Sequence, residues 1–329
     1  MHSGLRYTLS VLPPPPADRA FDVIGIGATS VDYVYVLPAY PAPTASLAKM
    51  QIGRHFVSCG GQMATALATC ARMGLRSKFV GVTGTDDNAR QVRRELEGRG
   101  VDLTDVIIRD VPNQYAVILV DEKSGERIVL WDRHERLRLR DRELPHDLLA
   151  TARLLHVDDV DIEGALGAAD AARAAGTPVT SDLDRITDRT LELVKAVTFP
   201  IFAEHVPTAL TGITDPAAAL RALRDVRHKQ DRHDGVLCVT LGIRGAMALD
   251  GDRLHHAPAF NVNAVDTTGA GDVFRGGFIY AYLRGFALPE ALRFANAAAA
   301  VSCTRLGAMA SVPSPDETER LMAEAETVS

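Results

Sequence analysis

The chain has 329 residues with 36 Lys and Arg against 42 Asp and Glu, which gives a formal net charge of −6, and 47% of its residues are hydrophobic. This composition is typical of a soluble globular protein and excludes a disordered or collagen-like chain. The mild acidity argues against a nucleic-acid partner. No run reaches about 18 apolar residues, so no membrane span and no membrane partner is predicted.

Residues 1–20 are predicted to be a flexible, extended tail, because they carry four consecutive prolines and lack the apolar core of a signal peptide. The four cysteines are dispersed and none forms a C-x-x-C pair. We therefore expect reduced thiols rather than a disulfide framework or a zinc site. Together these features favour a cytoplasmic protein.

The first part of the chain mixes two patterns. An apolar run at 21–27 ends in glycine and predicts a buried strand followed by a tight turn, and helices are predicted at 60–74 and 86–98. Residues 33–57 and 110–131 instead carry short β-type runs interrupted by prolines and turns. These two segments are predicted to form a small separate sheet that acts as a lid.

From residue 153 onward, strands and helices alternate regularly. In chain order we predict strand 153–158, helix 163–175, strand 178–182, helix 188–196, strand 199–203, helix 215–229, strand 236–241, a strand pair within 245–265, and helices 270–284 and 289–303. This order is typical of βαβ units with a parallel sheet. The predicted fold class is a three-layer α/β/α, Rossmann-like domain over residues 21–315, followed by a C-terminal helix or tail at 316–329.

The strongest chemical signal is the sequence VDTTGAGD at 265–272, directly before a predicted helix. Gly269, Ala270 and Gly271 are small, and N–H groups at a helix N-terminus are unpaired and lie at the positive end of the helix dipole. Such a site binds phosphate. The carboxylate of Asp272 would lie beside the anion, where it is either a helix-terminal charge or a catalytic base.

The segment 266–272 and its flanks resemble the PfkB carbohydrate kinase family, which is also called ribokinase-like. Its C-terminal signature matches DTTGAGD, and its N-terminal signature matches the double glycine at 60–61 and the A-R-x-G ending at 71–74. Further matches lie at 81–86, 240–245 and 297–313. In the N-terminal signature, in Ala203-Glu204 and in Cys303-Thr-Arg305, the chain looks most like the branch that contains sulfofructose kinase, with ketohexokinase-like enzymes as neighbours.

The resemblance implies phosphorylation of a sugar hydroxyl by ATP with Mg²⁺. Asp272 matches the family's catalytic base, and Gly269, Ala270 and Gly271 match the donors that hold the transferring phosphoryl group. Asp32 matches the residue that accepts hydrogen bonds from sugar hydroxyls. The glycines expected beneath the sugar are Gly60 and Gly61. The residues expected on the nucleotide side are Thr240, Gly242, Gly245 and Asn296. A possible monovalent-cation (K⁺) site overlaps Asp266, Thr268 and Gly307.

Three departures from the family pattern affect substrate and metal. Thr65 replaces a substrate-contacting asparagine, which argues against ribose. Ala203-Glu204 stands where an N-x-x-E motif is expected, so Glu204 is a candidate for contacting the metal through water. The lid region carries several basic residues: Lys49, Arg54, Arg127, Arg133 and His134. They either form a solvated face or bind an anionic substrate. In the second case, Lys49 would lie near the charged end of that substrate.

The favoured function is a carbohydrate kinase acting on a ketose or an anionic sugar. One alternative is a nucleoside kinase of the same fold, which would need aromatic residues to stack a base. The other is a catalytically silent sugar- or nucleotide-binding protein, which would have no need of Asp272 as a base. A homodimer formed through the lid is a further expectation from the family.

Overall fold

The structure is a computed structural model that describes residues 16–43, 48–123, 127–229 and 235–327. Its strands are β1 (Phe21–Ile26), β2 (Ser30–Leu37), β3 (Arg54–Gly60), β4 (Ser77–Val80), β5 (Val82–Thr83), β6 (Ile107–Ile108), β7 (Tyr115–Asp121), β8 (Arg127–Asp132), β9 (Ala152–Asp158), β10 (Val179–Leu183), β11 (Phe199–Phe202), β12 (Val236–Thr240), β13 (Ala246–Asp250) and β14 (Arg253–Ala257). Its helices are α1 (Gln62–Arg72), α2 (Asp87–Gly98), α3 (His146–Leu149), α4 (Ile162–Ala174), α5 (Thr190–Ala196), α6 (His205–Thr211), α7 (Pro216–His228), α8 (Ala270–Leu283), α9 (Leu288–Cys303) and α10 (Pro315–Thr327).

Eight strands form the main sheet, in the order β14-β13-β12-β11-β10-β9-β1-β4. The six strands from β12 to β4 in this order are parallel, and β13 and β14 are antiparallel. Helices cover both faces: α1, α8 and α9 pack in one buried apolar cluster, and α4, α5 and α7 pack in the other. A parallel sheet needs this double cover because its apolar strands are buried on both sides.

A separate four-stranded sheet, the small sheet, has the order β3-β2-β7-β8. β2 and β7 pair in parallel, while β3 and β8 lie antiparallel at the two edges. Its own buried apolar cluster consists of Val34, Ala116 and Ile118, while Val31 and Cys59 pack into the core of the main sheet. All six residues of β8 are exposed, including Trp131. The small sheet therefore buries far less apolar surface than the main sheet.

The predicted fold class is confirmed, and most predicted elements lie within two residues of their observed bounds. Three differences have simple causes. The strand pair predicted within 245–265 ends at Ala257, because residues 258–265 run without strand pairing. α3 and α6 were not predicted: α3 has only four residues, and α6 contains Pro207, which favours a turn in a sequence-based reading.

Within the described ranges, no helix is long and apolar enough to span a bilayer. The four cysteines are free thiols, as expected, and three of them are buried. Most of the predicted N-terminal tail, including Pro13–Pro15, lies outside the described residues.

Candidate active site

The loop before α8, here called the glycine loop (residues 266–271), has the geometry of an anion cradle. Gly269 is the N-cap of α8 with a left-handed φ of 77°, and a Cβ there would lie 2.7 Å from Cβ of Ala308. Asp266 braces the loop, because its Oδ1 accepts the N–H of Thr268 (2.9 Å) and its Oδ2 accepts the N–H of Gly307 (2.8 Å). The first N–H groups of α8 are thus presented by a fixed loop of small residues.

A cleft of about 590 Å³, the first cleft, opens on one side of the glycine loop. It brings together Asp32, Gly61, Thr240, Thr268 and Asp272 with the loop glycines. The small sheet forms its opposite wall. The side chains contributed by that wall are Ala116, Ile118, Arg127, Val129 and Trp131. Polar side chains from several other elements and loops also line the cleft: Gln62, Gln114, Asp182, Asp184, Arg185 and Arg275.

A second cleft of about 650 Å³ lies on the other side of the same loop. It is lined by Gly242, Asn296 and mostly apolar residues of the 259–264 segment and α9. The two clefts share four bordering residues, namely Arg127, Thr267, Ala270 and Gly271. A phosphoryl group held on the glycine loop would therefore be reachable from both clefts.

Asp32 is buried at the floor of the first cleft. It lies on β2, is 6% exposed, and accepts a hydrogen bond from the Ser30 hydroxyl (2.9 Å). Burial, together with the nearby charge of Asp266, raises the pKa of Asp32 to about 6, although the Ser30 bond opposes the shift. Gly60 makes room for this carboxylate, since a Cβ there would lie 2.4 Å from Asp32 Oδ2.

Asp272 lies in the first turn of α8 beside a second carboxylate. Burial raises the pKa of Asp272 well above its usual range, and the adjacent charge of Asp182 raises it further. Arg275, one turn further along α8, opposes this shift, and its Nη2 lies 2.7 Å from Oδ1 of Asp182. The side chains of Asp182 and Arg275 are only 2% and 3% exposed.

Gly25 and Gly27 at the end of β1 have the G-x-G spacing with which dinucleotide-binding turns begin, but here both glycines serve packing. A Cβ on Gly25 would lie 2.4 Å from Sδ of Met63, and one on Gly27 would lie 2.0 Å from Oδ2 of Asp158. The Asp158 carboxylate accepts the N–H of Ala28 (2.8 Å), and burial raises its pKa to about 8. The space beside this turn is therefore filled by the protein's own carboxylate rather than open to a pyrophosphate.

Several predicted site residues do not line either cleft. Lys49 is exposed, and Glu204 is exposed and ion-paired with Arg244. Gly245 has a left-handed φ of 88°, and a Cβ there would lie 2.1 Å from the Ala257 carbonyl oxygen, so its role is to let two backbone segments pack closely. Thr65 is fully buried, and within the described structure its hydroxyl oxygen has no hydrogen-bond partner.

Two basic residues of the predicted lid group are occupied elsewhere. Arg133 forms a buried ion pair with Asp161 (2.7 Å), and the His134 ring accepts the N–H of Arg136 (3.1 Å).

Asn296 lines the second cleft, but its amide nitrogen already donates to the carbonyl oxygens of Ala257 (2.8 Å) and Pro258 (3.2 Å).

Sequence reasoning missed the charged group formed by Asp182, Asp184, Arg185 and Arg275. Two signals were present. Asp182 and Asp184 come at the carboxyl end of a predicted parallel strand, where open α/β sheets bind ligands. Arg275 is a charge within an otherwise apolar helix, and such a charge requires a buried partner.

Comparisons with known proteins show which family the chain resembles. The model of the pfkB family of carbohydrate kinases matches residues 23–315. A nucleoside kinase of Methanothermobacter thermautotrophicus is 28% identical over 302 residues, covering 90% of this chain and 94% of that protein. An ATP-dependent ribose-1-phosphate kinase of Halopiger xanaduensis is 30% identical over 271 residues, covering 81% and 87% of the two chains.

The crystal structure of a ribokinase from Thermotoga maritima superimposes with a TM-score of 0.78 at 25% identity, covering 92% of this chain and 99% of that one. The fold and the site define a ribokinase-like kinase. With the family model matched over residues 23–315, the chain belongs to the pfkB family of carbohydrate kinases, whose relatives act on sugars and nucleosides.

Proposed function

We propose that this protein transfers the γ-phosphoryl group of ATP to a hydroxyl of a ketose or an anionic sugar, with Asp272 as the catalytic base. The observation that carries the proposal is the meeting of the two clefts at the glycine loop, with Asp32 and Asp272 both in the first cleft. The sugar would lie on Gly61 and hydrogen-bond to Asp32, and the nucleotide would lie in the second cleft.

Each residue then has a separate task in the transfer. Asp272 accepts the proton of the attacking hydroxyl as that oxygen bonds to phosphorus. The N–H groups of Gly269, Ala270 and Gly271 stabilise the charge on the transferring group. Arg127, whose Nη1 donates to Oγ1 of Thr267 (2.9 Å), ties the small sheet to the glycine loop. As a lid, the small sheet would exclude water and so favour transfer over hydrolysis.

The residues present fit Mg-ATP, although they do not form a metal cage. Within the described ranges, no group of three His, Cys, Asp or Glu side chains could hold a metal ion. This agrees with Mg²⁺ bound mainly by phosphates and water, as is usual for this ion in kinases. When bound, the ion would neutralise phosphate charge. Asp184 lines the first cleft, whereas Glu204 lines neither cleft and is ion-paired with Arg244, so Asp184 is the acidic candidate for contact with the ion.

An anionic substrate is favoured by two arginines in the first cleft. Arg127 and Arg185 both line it, whereas Lys49 does not. We therefore assign recognition of a charged substrate group to these arginines. The ribose-1-phosphate kinase relative acts, by its name, on an anionic sugar, which supports this choice.

A nucleoside is the second candidate substrate, because the small sheet offers an apolar wall with an aromatic ring. Ile118, Val129 and Trp131 line the first cleft, and the Arg185 guanidinium lies 4.6 Å from the centre of the Trp131 ring. A planar base could stack there. The nucleoside kinase relative supports this alternative.

Two expectations from the family stay proposals. A monovalent cation could bind near Asp266, Thr268 and Gly307, which would make activity higher in K⁺ than in Na⁺ at equal ionic strength. A homodimer through the small sheet could cover the exposed edge strand β8, and sedimentation of the purified protein would measure it.

The test of the proposed function is a coupled ADP assay on sugars, sugar phosphates and nucleosides. Wild type should release ADP only with an acceptor, and Asp272→Asn should lower kcat by about 10²–10⁴-fold. Asp87→Asn is the matched control, because Asp87 is also a first-turn carboxylate but is exposed on α2. Full turnover by Asp272→Asn, or no acceptor-dependent ADP release by wild type, would mean that the proposed mechanism is wrong.

A further inference from the structure

The wall of the first cleft contains a buried glutamine that none of the steps above uses. Gln114 directly precedes β7, is 8% exposed and lines the cleft. Its side-chain oxygen Oε1 is buried, and no other residue in the described part of the chain donates a hydrogen bond to it. An unpaired buried acceptor costs folding free energy, and native proteins keep few of them. The Gln114 side chain is therefore a candidate for contact with a bound molecule.

The main chain around Gln114 is held by other groups. Its carbonyl oxygen accepts the N–H of Val31 on β2 (3.3 Å) and a side-chain N–H of Asn113 (3.2 Å). Asn113 is 2% exposed, and its Oδ1 accepts the N–H of Gly84 (3.1 Å). The entry into β7 is thus fixed without a hydrogen bond from the Gln114 side chain, which stands on a well-supported backbone.

Gln114 belongs to the same wall as Asp32. β2 and β7 pair in parallel, and Asp32 lies opposite Ala116 in their register. Side chains two positions apart along a strand lie on the same face of the sheet, and Gln114 and Ala116 both line the cleft. The Ser30 hydroxyl also belongs to this wall, but it already donates its proton to Asp32 (2.9 Å). A molecule bound in the cleft can supply the donor that Oε1 lacks.

We propose that Gln114 is a specificity-determining residue whose amide binds one substrate hydroxyl beside those bound by Asp32. This inference rests on the proposed function. A hydroxyl can donate its proton to Oε1, and an analogue without that hydroxyl would leave the buried oxygen unpaired. Sites built to hydrogen-bond a substrate hydroxyl reject analogues that lack it. The preferred substrate is therefore the fully hydroxylated sugar or sugar derivative rather than its deoxy counterpart.

The contact is independent of the charge of the substrate. The arginines assigned above to a charged group, Arg127 and Arg185, also line the first cleft, whereas the Gln114 amide is neutral and recognises a hydroxyl. Sugars, sugar phosphates and nucleosides all carry hydroxyls on a sugar. The inference can therefore be tested with either candidate class of substrate.

The experiment compares hydroxylated acceptors with their deoxy analogues in the coupled ADP assay. The probes are D-fructose, D-ribose, ribose-1-phosphate and adenosine, each with its monodeoxy analogues. For an acceptor that wild type uses, removal of one particular hydroxyl should lower kcat/KM by about 10-fold or more, and in Gln114→Met the same removal should change it by less than about threefold. Removal of a hydroxyl that contacts Asp32 should cost the same in both proteins.

Gln114→Glu tests whether the acceptor oxygen is what matters. Glutamate has the length of glutamine and keeps an oxygen that accepts the hydroxyl proton. This variant should therefore retain the wild-type preference for the hydroxylated acceptor, even where its absolute rate is lower. A Gln114→Glu protein with the lost preference of Gln114→Met would contradict the assigned contact.

Stability supplies a readout that separates substrate binding from a structural role. Gln114→Met removes an unpaired buried acceptor, so the free energy of unfolding should stay the same or increase. Thr29→Val is the matched control. Thr29 is 2% exposed, its hydroxyl oxygen is buried and has no partner among the described residues, and it lines neither cleft. This control should keep both its stability and the wild-type substrate preference.

A Gln114→Met protein that is less stable than wild type, or that keeps every wild-type preference, would overturn the inference while Asp272→Asn remains inactive. Equal use of all analogues by wild type would overturn it as well, because water would then satisfy Oε1. If Asp272→Asn stays active, the proposed function itself fails. Should none of the probes turn over, the same pairs are compared by binding, followed through the fluorescence of Trp131. A binding preference that is absent from wild type, or that Gln114→Met keeps, contradicts the inference.

Discussion

The two walls of the first cleft are built differently. The wall formed by β10, the glycine loop and α8 rests on the main core, and eleven of the fourteen α8 residues, Val273 to Leu283, are buried. The small sheet opposite has a separate apolar cluster of only three buried residues and a fully exposed strand, β8. On the proposed function, the catalytic step would thus occur on the well-packed wall, and substrate selection would depend on a surface that can change at little cost to folding.

The largest expected difference between the walls is in stability. Phe278 on α8 is fully buried against Phe199, with ring centres 5.9 Å apart. Phe278→Ala should lower the free energy of unfolding by about 3–5 kcal/mol, because it leaves a cavity. Ile128→Ala on β8, where the side chain is 42% exposed, should change it by less than about 0.5 kcal/mol. If denaturant titrations show an equal loss of folding free energy in both variants, the two walls do not differ in stability as proposed.

The next effect concerns the contact that joins the two walls. Arg127→Met removes the hydrogen bond to Thr267 and a charge bordering both clefts. We expect kcat to fall by about 100-fold, which lies in the upper part of the range for the loss of a hydrogen bond from a charged group. We also expect a larger share of the ADP to be released without an acceptor. Arg54→Met is the control, since Arg54 is an exposed arginine of the small sheet that lines neither cleft. An equal fall in kcat in the Arg54→Met and Arg127→Met variants would contradict a specific role for Arg127.

Asp32 should give a pH-dependent affinity. Its pKa is raised to about 6, so a proton binds as the pH falls through 6 and one acceptor for sugar hydroxyls is lost. The dissociation constant of wild type should therefore rise below pH 6. In Asp32→Asn it should be raised about 10-fold at pH 8 and vary little with pH. Binding can be followed by fluorescence, because the only tryptophan, Trp131, lines this cleft. An Asp32→Asn protein that keeps the wild-type pH dependence would show that another group controls binding.

The smallest expected effect distinguishes the two substrate classes. Trp131→Ala should leave stability nearly unchanged, since the side chain is 55% exposed. With a nucleoside substrate its KM should rise by about threefold or more, and Trp131→Phe should restore it, because a stacked ring contributes about 0.5–1.5 kcal/mol. With a small anionic sugar, Arg185→Met should raise KM more than Trp131→Ala does. If the two variants change KM in the opposite order for a given substrate, the contacts proposed here for that substrate are wrong.

The sequence was most informative where function depends on local backbone. The small residues of 266–272 imply an anion cradle before any fold is known, and the strand-helix alternation after residue 153 predicts the parallel sheet. Asp32 and Asp272, 240 positions apart, line the same cleft, and this juxtaposition followed only from the family resemblance.

What the sequence could not reveal depends on contacts between distant segments. Asp182 and Arg275 lie on different elements, and although each has a local signal, the sequence does not show that the two side chains pair. Glu204 looked available for the metal until the fold placed Arg244 beside it. Lys49, Arg127 and Arg133 are alike as sequence, but only the fold decides which of them faces the cleft, because side-chain direction depends on strand register.

The shared border of the two clefts has a consequence for inhibitor design. Arg127, Thr267, Ala270 and Gly271 contact both spaces, so one molecule that joins a sugar-like head to a nucleotide-like tail could fill both at once. Once the tail is bound, the head binds as an intramolecular event at high effective concentration, which multiplies affinity without new contacts. Selectivity among related kinases would then come from the head, because the small sheet that surrounds it is the part of the cleft least constrained by folding.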